Sequence, residues 1–459
     1  MPAFYEAAAR LGARLRAAAG PLASAERWSR ARPWLILVPL LAGLYVRAGL
    51  LKDAGGAIVK DGDGREYYEI ASSLGREGRF EDFPGVLTAF RMPLYPSFLS
   101  LFDGGSPDRR RELTAAGLVA VSLALVFAVY VLAGRMLPNG LALLLALLFA
   151  VRSAPFGVDV EIQGFYALFA ASALLCLVRY LETPGTASAL LCGVSAGLAL
   201  QVRSASLVLV AVCAAAMLLR KERARHLSLL LLAVLLTMLP WAARNYYHFG
   251  RPILFEDGAS LANLYTAAQG IDVCVQNKDI RFRDPAATAL YRTSGRAVQA
   301  RLLEEGIRSE LEADPMIYLR GALRRLSGSL LRFPLLLLGL LAALLRRDKV
   351  PLFLGSFCVL YIAAHAAMSM QPRYLFPALP AAYVLSFYGV YSLFGGVGGG
   401  GGAFGCGRIC AVLAAAELCL FALQVRYLAA EVLSLPPGTA SGYAMTAPPG
   451  APKIISSRG

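Results

Sequence analysis

Four acids and five arginines stand where their side chains could do chemistry. Asp61 and Asp63 open a polar island, Asp61-Gly62-Asp63-Gly64-Arg65-Glu66-Tyr67-Tyr68-Glu69-Ile70-Ala71, while Asp159 and Glu161 lie between two later apolar runs. A carboxylate beside an acceptor hydroxyl takes its proton during group transfer, so acids from two loops at one level suit general-base work. The same positions also suit solvated loop acids, and Asp159 could cap the helix that follows it. Arg91, Arg152, Arg203, Arg244 and Arg373 each fall in or beside an apolar run, where an arginine usually has a partner or a task. A guanidinium grips phosphate oxygens through a two-pronged fork, which fits such a group to a lipid phosphate. Each one alone reads as a side chain reaching for the interface; five at one level with acids opposite read as a pocket. Of the three histidines, His248 and His365 share that level as pocket or structural residues, and His226 sits at the other boundary. No His, Cys or acid cluster has metal-ligand spacing, and the glycines at 395–402 lack the Gly-Lys-Ser/Thr ending of a phosphate loop.

The elements that must position these residues are membrane helices. The 459-residue chain is 57% hydrophobic and 16% charged, against about one quarter charged in soluble domains. The expected class is an all-α polytopic membrane protein. Apolar runs long enough to cross fall near 33–51, 113–136, 140–156, 160–181, 187–202, 204–220, 227–247, 329–345, 350–369, 374–394 and 408–428, about eleven in all. The net charge of +15 is carried by arginines at the ends of these runs. Basic loops mark the cytoplasmic side, so the charge argues for orientation and against a nucleic-acid partner. Arg135, Arg179, the 220–225 cluster, the 346–349 cluster and Arg408 then lie inside, and the polar segments 52–112 and 248–328 lie outside. Arg109-Arg110-Arg111 breaks that rule. Most of the eight cysteines sit within apolar runs and read as small core residues.

Residues 1–32 read as an Arg-rich amphipathic cytoplasmic leader, 33–433 as the transmembrane domain, 395–407 as a glycine linker on the inner side and 434–459 as a flexible tail. Tyr67, Ile70, Ala71 and Leu74 recur at helical spacing and predict a helix on the bilayer surface. Pro285 opens a second amphipathic run that continues to Leu311.

Several segments, in order along the chain, resemble the GT-C superfamily of integral-membrane glycosyltransferases, in particular its protein O-mannosyltransferase-like and aminoarabinose-transferase-like branch. Asp63-x-x-x-Tyr67 with Ala71 and Leu74 is similar to the family's first outer loop. Phe90-Arg91-Met92-Pro93-Leu94-Tyr95-Pro96-Ser97-Phe98-Leu99 is similar to its Arg-Pro-Pro-x-Tyr-Pro-x-Phe-Leu segment, with Met92 in place of a proline. Glu161, Gly193-x-x-x-Gly197 through Arg203, Pro240-Trp241-Ala242-Ala243-Arg244-Asn245-Tyr246, and Arg373-Tyr374 match further positions. The family's frequent Asp-Glu pair is missing at Asp63-Gly64. The resemblance implies a sugar donor on a polyprenyl phosphate, used outside the bacterial inner membrane with inversion. It implies Asp63 as base, with Asp61 sharing or taking that role, and Asp61 and Glu161 orienting the substrates. Arg203, Arg244 and Arg373 would hold the donor phosphate, and Arg91 and Tyr95 would shape its entrance. Tyr67, Asp159, His365 and Tyr374 complete the expected substrate pocket. Magnesium or manganese at the donor phosphate is neither required nor excluded. The acceptor class, whether protein, lipid or glycan, is left open.

Two other readings compete. An oligosaccharide ligase or polymerase would use a polyprenyl-pyrophosphate donor and centre on a long outer loop such as 248–328. A lipid-linked-sugar transporter would show an internal repeat and charges deep in mid-span, and neither pattern is present.

Overall fold

The computed structural model describes residues 33–394, apart from 57, 60, 61, 84, 85, 251, 257, 259 and 276–278. The leader, Asp61, the glycine linker, the apolar run 408–428 and the tail therefore lie outside the described residues.

Almost everything described is helical. After a 3-10 turn at Pro33–Ile36 come α1 (Leu37–Asp53), α2 (Asp63–Glu77), a hairpin of β1 (Glu81–Phe83) and β2 (Val86–Leu87), and α3 (Leu94–Ser100). The central bundle follows as α4 (Pro107–Ala133), α5 (Asn139–Arg152), α6 (Ile162–Glu182), α7 (Thr186–Val202), α8 (Leu207–Leu218) and α9 (Arg223–Phe249). The second polar segment holds α10 (Leu261–Ala268), α11 (Pro285–Thr293), α12 (Arg296–Ala313) and α13 (Pro315–Leu331). The chain closes on α14 (Pro334–Arg346), α15 (Lys349–Ala366), a 3-10 segment Pro372–Ala378 and α16 (Leu379–Phe394).

Among the described residues six helices are long and apolar enough to cross a membrane alone, α13 with α14 form a pair bent by 83°, and three shorter apolar helices lie between. These coincide with the first ten predicted runs. On α9, Leu231, Leu232, Leu235, Leu236 and Leu239 are exposed while Leu230, Ala233 and Trp241 are buried. An exposed leucine face of that size needs an apolar solvent, so lipid takes the place of water there. The chain is a multi-pass membrane protein.

Small residues bring the helices together. A methyl group on Gly193 would lie 2.6 Å from the Leu230 carbonyl, so α7 meets α9 backbone to backbone. The two polar segments share one end of the bundle: Ile70, Phe80 and Met92 of the first pack with Ile253 and Phe255 of the second, over Trp241 and Leu200.

Three expectations change. The apolar stripe of α2 faces the protein's own core, where Tyr67, Ile70 and Ala71 are buried, and does not lie on a bilayer. The run from Pro285 to Leu311 is two helices, broken at Ser294-Gly295, because Gly295 takes an extended conformation before α12. The span expected from 329 starts at Pro334, since α13 ends at Leu331 and the chain turns sharply before the proline. The arginine run that broke the charge rule is partly explained: Arg110 is buried, pairs with Asp103 at 2.9 Å, donates to Ser72 Oγ at 2.9 Å and lies 3.8 Å from the Tyr68 ring centroid.

Candidate active site

Asp63 is the first residue of α2, and Gly62 (φ 92°) turns the chain into the helix. Gly64 lets that helix start against the segment carrying Asp159 and Glu161: a methyl group there would lie 2.6 Å from the Val160 carbonyl. The contact is reinforced by a backbone bond from Val160 N to Ile58 O at 2.8 Å. A larger residue at 64 would push the two acid-bearing segments apart, which gives the missing Asp-Glu pair a physical reason.

Across this junction Asp63 sits between two guanidinium groups. Arg91 Nη2 donates to Asp63 Oδ1 at 2.7 Å and to Glu66 Oε2 at 2.6 Å, and its Nε reaches the same Glu66 oxygen at 3.0 Å. Arg373 Nη2 donates to Asp63 Oδ2 at 3.3 Å, and its Nη1 donates to Glu161 Oε1 at 2.5 Å. Three distant parts of the chain thus meet in one charge network. Burial alone would raise the Asp63 carboxyl, but the charges of Arg91, Arg373 and Arg203 and the Arg91 hydrogen bond outweigh it and hold the group down at about 2. Its side chain keeps 32% exposure, so a substrate can reach it.

Aromatic rings wall the network. Arg203 and Arg373 lie 5.1 and 5.8 Å from the ring centroid of Tyr374, and Arg91 lies 5.0 Å from that of Tyr67. Burial pushes the Tyr67 phenol up to about 12, so it remains a neutral hydrogen-bonding group. The carboxylate of Glu256 accepts from the Ser204 amide at 3.3 Å, next to Arg203.

The structure thus brings together Asp63, Glu161, Arg91, Arg203, Arg373, Tyr67 and Tyr374. Asp159 lies buried on the same turn, two residues from Glu161, and Glu161 rather than Asp159 stands at the N-cap of α6, without a side-chain cap bond. Tyr95 is not at an entrance: it is fully buried, edge-on to Tyr67 at 5.1 Å, with its hydroxyl on the Glu161 carbonyl at 3.3 Å. Burial first, then Tyr67, Asp159 and Glu161, keep its phenol protonated. His365 is buried behind the wall, with Nδ1 at 3.0 Å from the Tyr361 carbonyl and its ring 6.2 Å from Tyr374.

Arg244 departs from its expected place beside Arg203 and Arg373. It donates to the carbonyls of Thr88 (2.7 Å) and Phe80 (3.2 Å), with the rings of Phe80, Trp241 and Phe249 around it. It lines a separate cavity of about 620 Å3 with Arg79, Gln201, Trp241 and His248, where the buried Trp241 Nε1 has no partner among the described residues. Glu66 was not singled out from sequence, although it lies one helical turn from Asp63 at a spacing that puts both on one face. Glu256, in an irregular segment, gave no such signal.

Among the described residues no group of three or more His, Cys, Asp or Glu side chains is placed to hold a metal ion. Asp63, Glu66 and Glu161 all engage arginines. The network fits an anion facing guanidinium groups and does not fit a protein-held divalent cation.

No protein-family model matches the chain, and no curated protein matches it significantly. Among solved structures, the archaeal oligosaccharyltransferase AglB from Archaeoglobus fulgidus, in complex with an inhibitory peptide and a dolichol-phosphate, superposes with a TM-score of 0.52 at 15% identity. The alignment covers 86% of this chain and 55% of that one. The chain has the GT-C fold. It spans little more than half the length of that oligosaccharyltransferase. The Archaeoglobus enzyme with Zn and sulfate (TM-score 0.48, 16% identity, 78% and 49% covered) and ArnT from Cupriavidus metallidurans bound to undecaprenyl phosphate (0.35, 15%, 79% and 78%) are weaker likenesses.

Proposed function

We propose that this GT-C protein transfers a sugar from a polyprenyl-phosphate donor to an acceptor hydroxyl, with inversion, at the outer face of a bacterial inner membrane. One observation carries the reading: Asp63, held ionised between Arg91 and Arg373, faces the same guanidinium that grips Glu161. In the proposed step the acceptor oxygen attacks the anomeric carbon, the bond from that carbon to the phosphate oxygen breaks, and Asp63 takes the hydroxyl proton. Polyprenyl phosphate leaves with one more negative charge than the donor carried, and Arg203 and Arg373 face that growing charge.

The depressed Asp63 would be a weak base if nothing changed. Donor phosphate competes for Arg203 and Arg373, loosens their hold on Asp63 and raises its proton affinity only when the donor is in place. Glu161 orients Arg373 and the sugar. The polar segment 52–112 supplies the base as an outer loop, and 248–328 supplies acceptor recognition. Arg244 and its cavity receive the carrier beside the network, with Arg79 and Trp241 as further contacts. Asp61, outside the described residues, would assist Asp63.

The test is a panel of polyprenyl-phosphate sugars offered to the full chain in proteoliposomes, scored by release of free polyprenyl phosphate. Release with at least one donor supports the transferase. Movement of lipid-linked sugar across the bilayer with no release from any donor would favour a transporter.

A further inference from the structure

A second cavity, of about 560 Å3, opens at the end of the bundle away from Asp63. Arg135, at its rim, follows the C-terminus of α4, whose N-terminus follows the first polar segment. A helix of that length separates the two ends by about 40 Å. Basic loops gather here, which makes this the cytoplasmic end.

Arg135, Arg346, Arg347 and Lys349 line the cavity against two acids, Glu182 and Asp348. Both acids are engaged: Glu182 pairs with Arg135 at 3.2 Å, and Asp348 accepts the Tyr388 hydroxyl. Arg346 donates to the Ser392 carbonyl at 2.7 Å. That leaves Arg347 and Lys349 without an ion pair among the described residues.

Three further features point to an anion. Asp348 is the N-cap of α15 yet makes no side-chain cap bond, because its carboxylate is turned to Tyr388. The amides of Lys349 and Val350, residues that line the cavity, therefore stay without a side-chain cap at the positive end of this 18-residue helix. Arg347 is the one non-glycine residue with positive φ (57°) among the described residues, at a C-cap position where glycine is the unstrained choice. The arginine thus holds its guanidinium at the cavity despite an unfavourable backbone conformation. Finally, Ser392, 5% exposed, has a hydroxyl beside that of Tyr388 that meets no hydrogen-bond geometry among the described residues.

We propose that this cavity binds a phosphate-bearing anion through Arg347, Lys349, the amides opening α15 and the Ser392 hydroxyl. The phosphate belongs either to an anionic lipid of the cytoplasmic leaflet or to a soluble phosphate. This site is independent of the transferase reading.

The full chain in detergent is titrated with phosphatidylglycerol, phosphatidylcholine and inorganic phosphate, read by native mass spectrometry and thermal shift. Phosphatidylglycerol is expected to be retained about tenfold better than phosphatidylcholine, and the double variant Arg347→Gly/Lys349→Gln is expected to lose that preference. Without ligand the double variant should melt no lower than wild type, since glycine suits the backbone at 347. Lys349→Gln alone, away from that backbone position, provides a second readable variant with about threefold weaker retention. A stabilising shift with inorganic phosphate, lost in the variant and without lipid preference, assigns the site to soluble phosphate. Equal retention of both lipids with no phosphate shift, or a preference unchanged in both variants, overturns the proposal.

Discussion

Arg47 and Arg373 both carry a guanidinium into a helical bundle, and the protein surrounds them differently. Arg47 on α1 is fully buried and meets neutral acceptors only: Ser122 Oγ at 2.8 and 2.5 Å, the carbonyls of Gly43 and Ala150 at 2.9 Å each, and Ser153 Oγ at 3.0 Å. Arg373 keeps 29% side-chain exposure and divides itself between two carboxylates, Asp63 and Glu161. A guanidinium satisfied on every side has nothing left for a ligand and serves to lock α1, α4 and α5. One shared between two acids and open to solvent can exchange an acid for a substrate phosphate. Arg47 holds the fold, and Arg373 is the one proposed to work in the reaction.

Substitutions can break that contrast, and the largest effect is expected at the acid between the arginines. Asp63→Asn keeps the side chain's shape and should lower sugar transfer by about a thousandfold while the protein remains folded by circular dichroism. Arg373→Gln should cost about a hundredfold in kcat, with less change in melting temperature than Arg47→Met. Arg47→Met should do the reverse. It takes a donor from the hydroxyls of Ser122 and Ser153 and from the Ala150 carbonyl, and should lose about 3 kcal/mol of stability by chemical denaturation, with near-normal turnover per folded molecule. Glu66→Gln frees one side of Arg91 and is expected to cost about tenfold in kcat/KM, without loss of fold.

The smallest expected effect is a flat pH profile. Asp63 has a folded pKa depressed to about 2. It therefore contributes stability above its unfolded value, and this is lost only as pH falls through the folded one. Between pH 5 and 8, kcat/KM at limiting donor should show no acid limb from this residue, because that parameter reports the free enzyme. An inflection in that window that Asp63→Asn abolishes would mean that the arginines do not hold the group down.

Much of the fold was legible because long apolar runs separated by basic loops leave few alternatives to membrane helices. The site was legible in kind: Asp63, Glu161, Arg91, Arg203 and Arg373 stood out as charges beside apolar runs, and the structure draws them together. Their pairing was not, since Arg373 meets Asp63 across 310 positions and no local pattern encodes such a contact. Arg244 shows the limit of motif reading. Its motif is specific, yet the rings that hold it include Phe80, distant in sequence, and they draw it into a neighbouring cavity. The family resemblance implied Tyr95 at the donor entrance, but its turn folds inward and buries the ring. Glu66 could have been found from its spacing to Asp63. The bend before α14 was signalled by Pro334 and was overridden by the apolar run that continues across it.

In the proposed reaction Asp63 is the proton acceptor, and Arg203 and Arg373 serve the phosphate. The most direct measurement separates binding from chemistry: donor affinity and single-turnover transfer, on the same proteoliposomes, for wild type and Asp63→Asn, with a donor the wild type uses. Asp63→Asn is expected to bind the donor at least as tightly as wild type, because an anion opposing the phosphate is gone, and to transfer almost no sugar. Transfer by Asp63→Asn at the wild-type rate would contradict it and move the base to another acid.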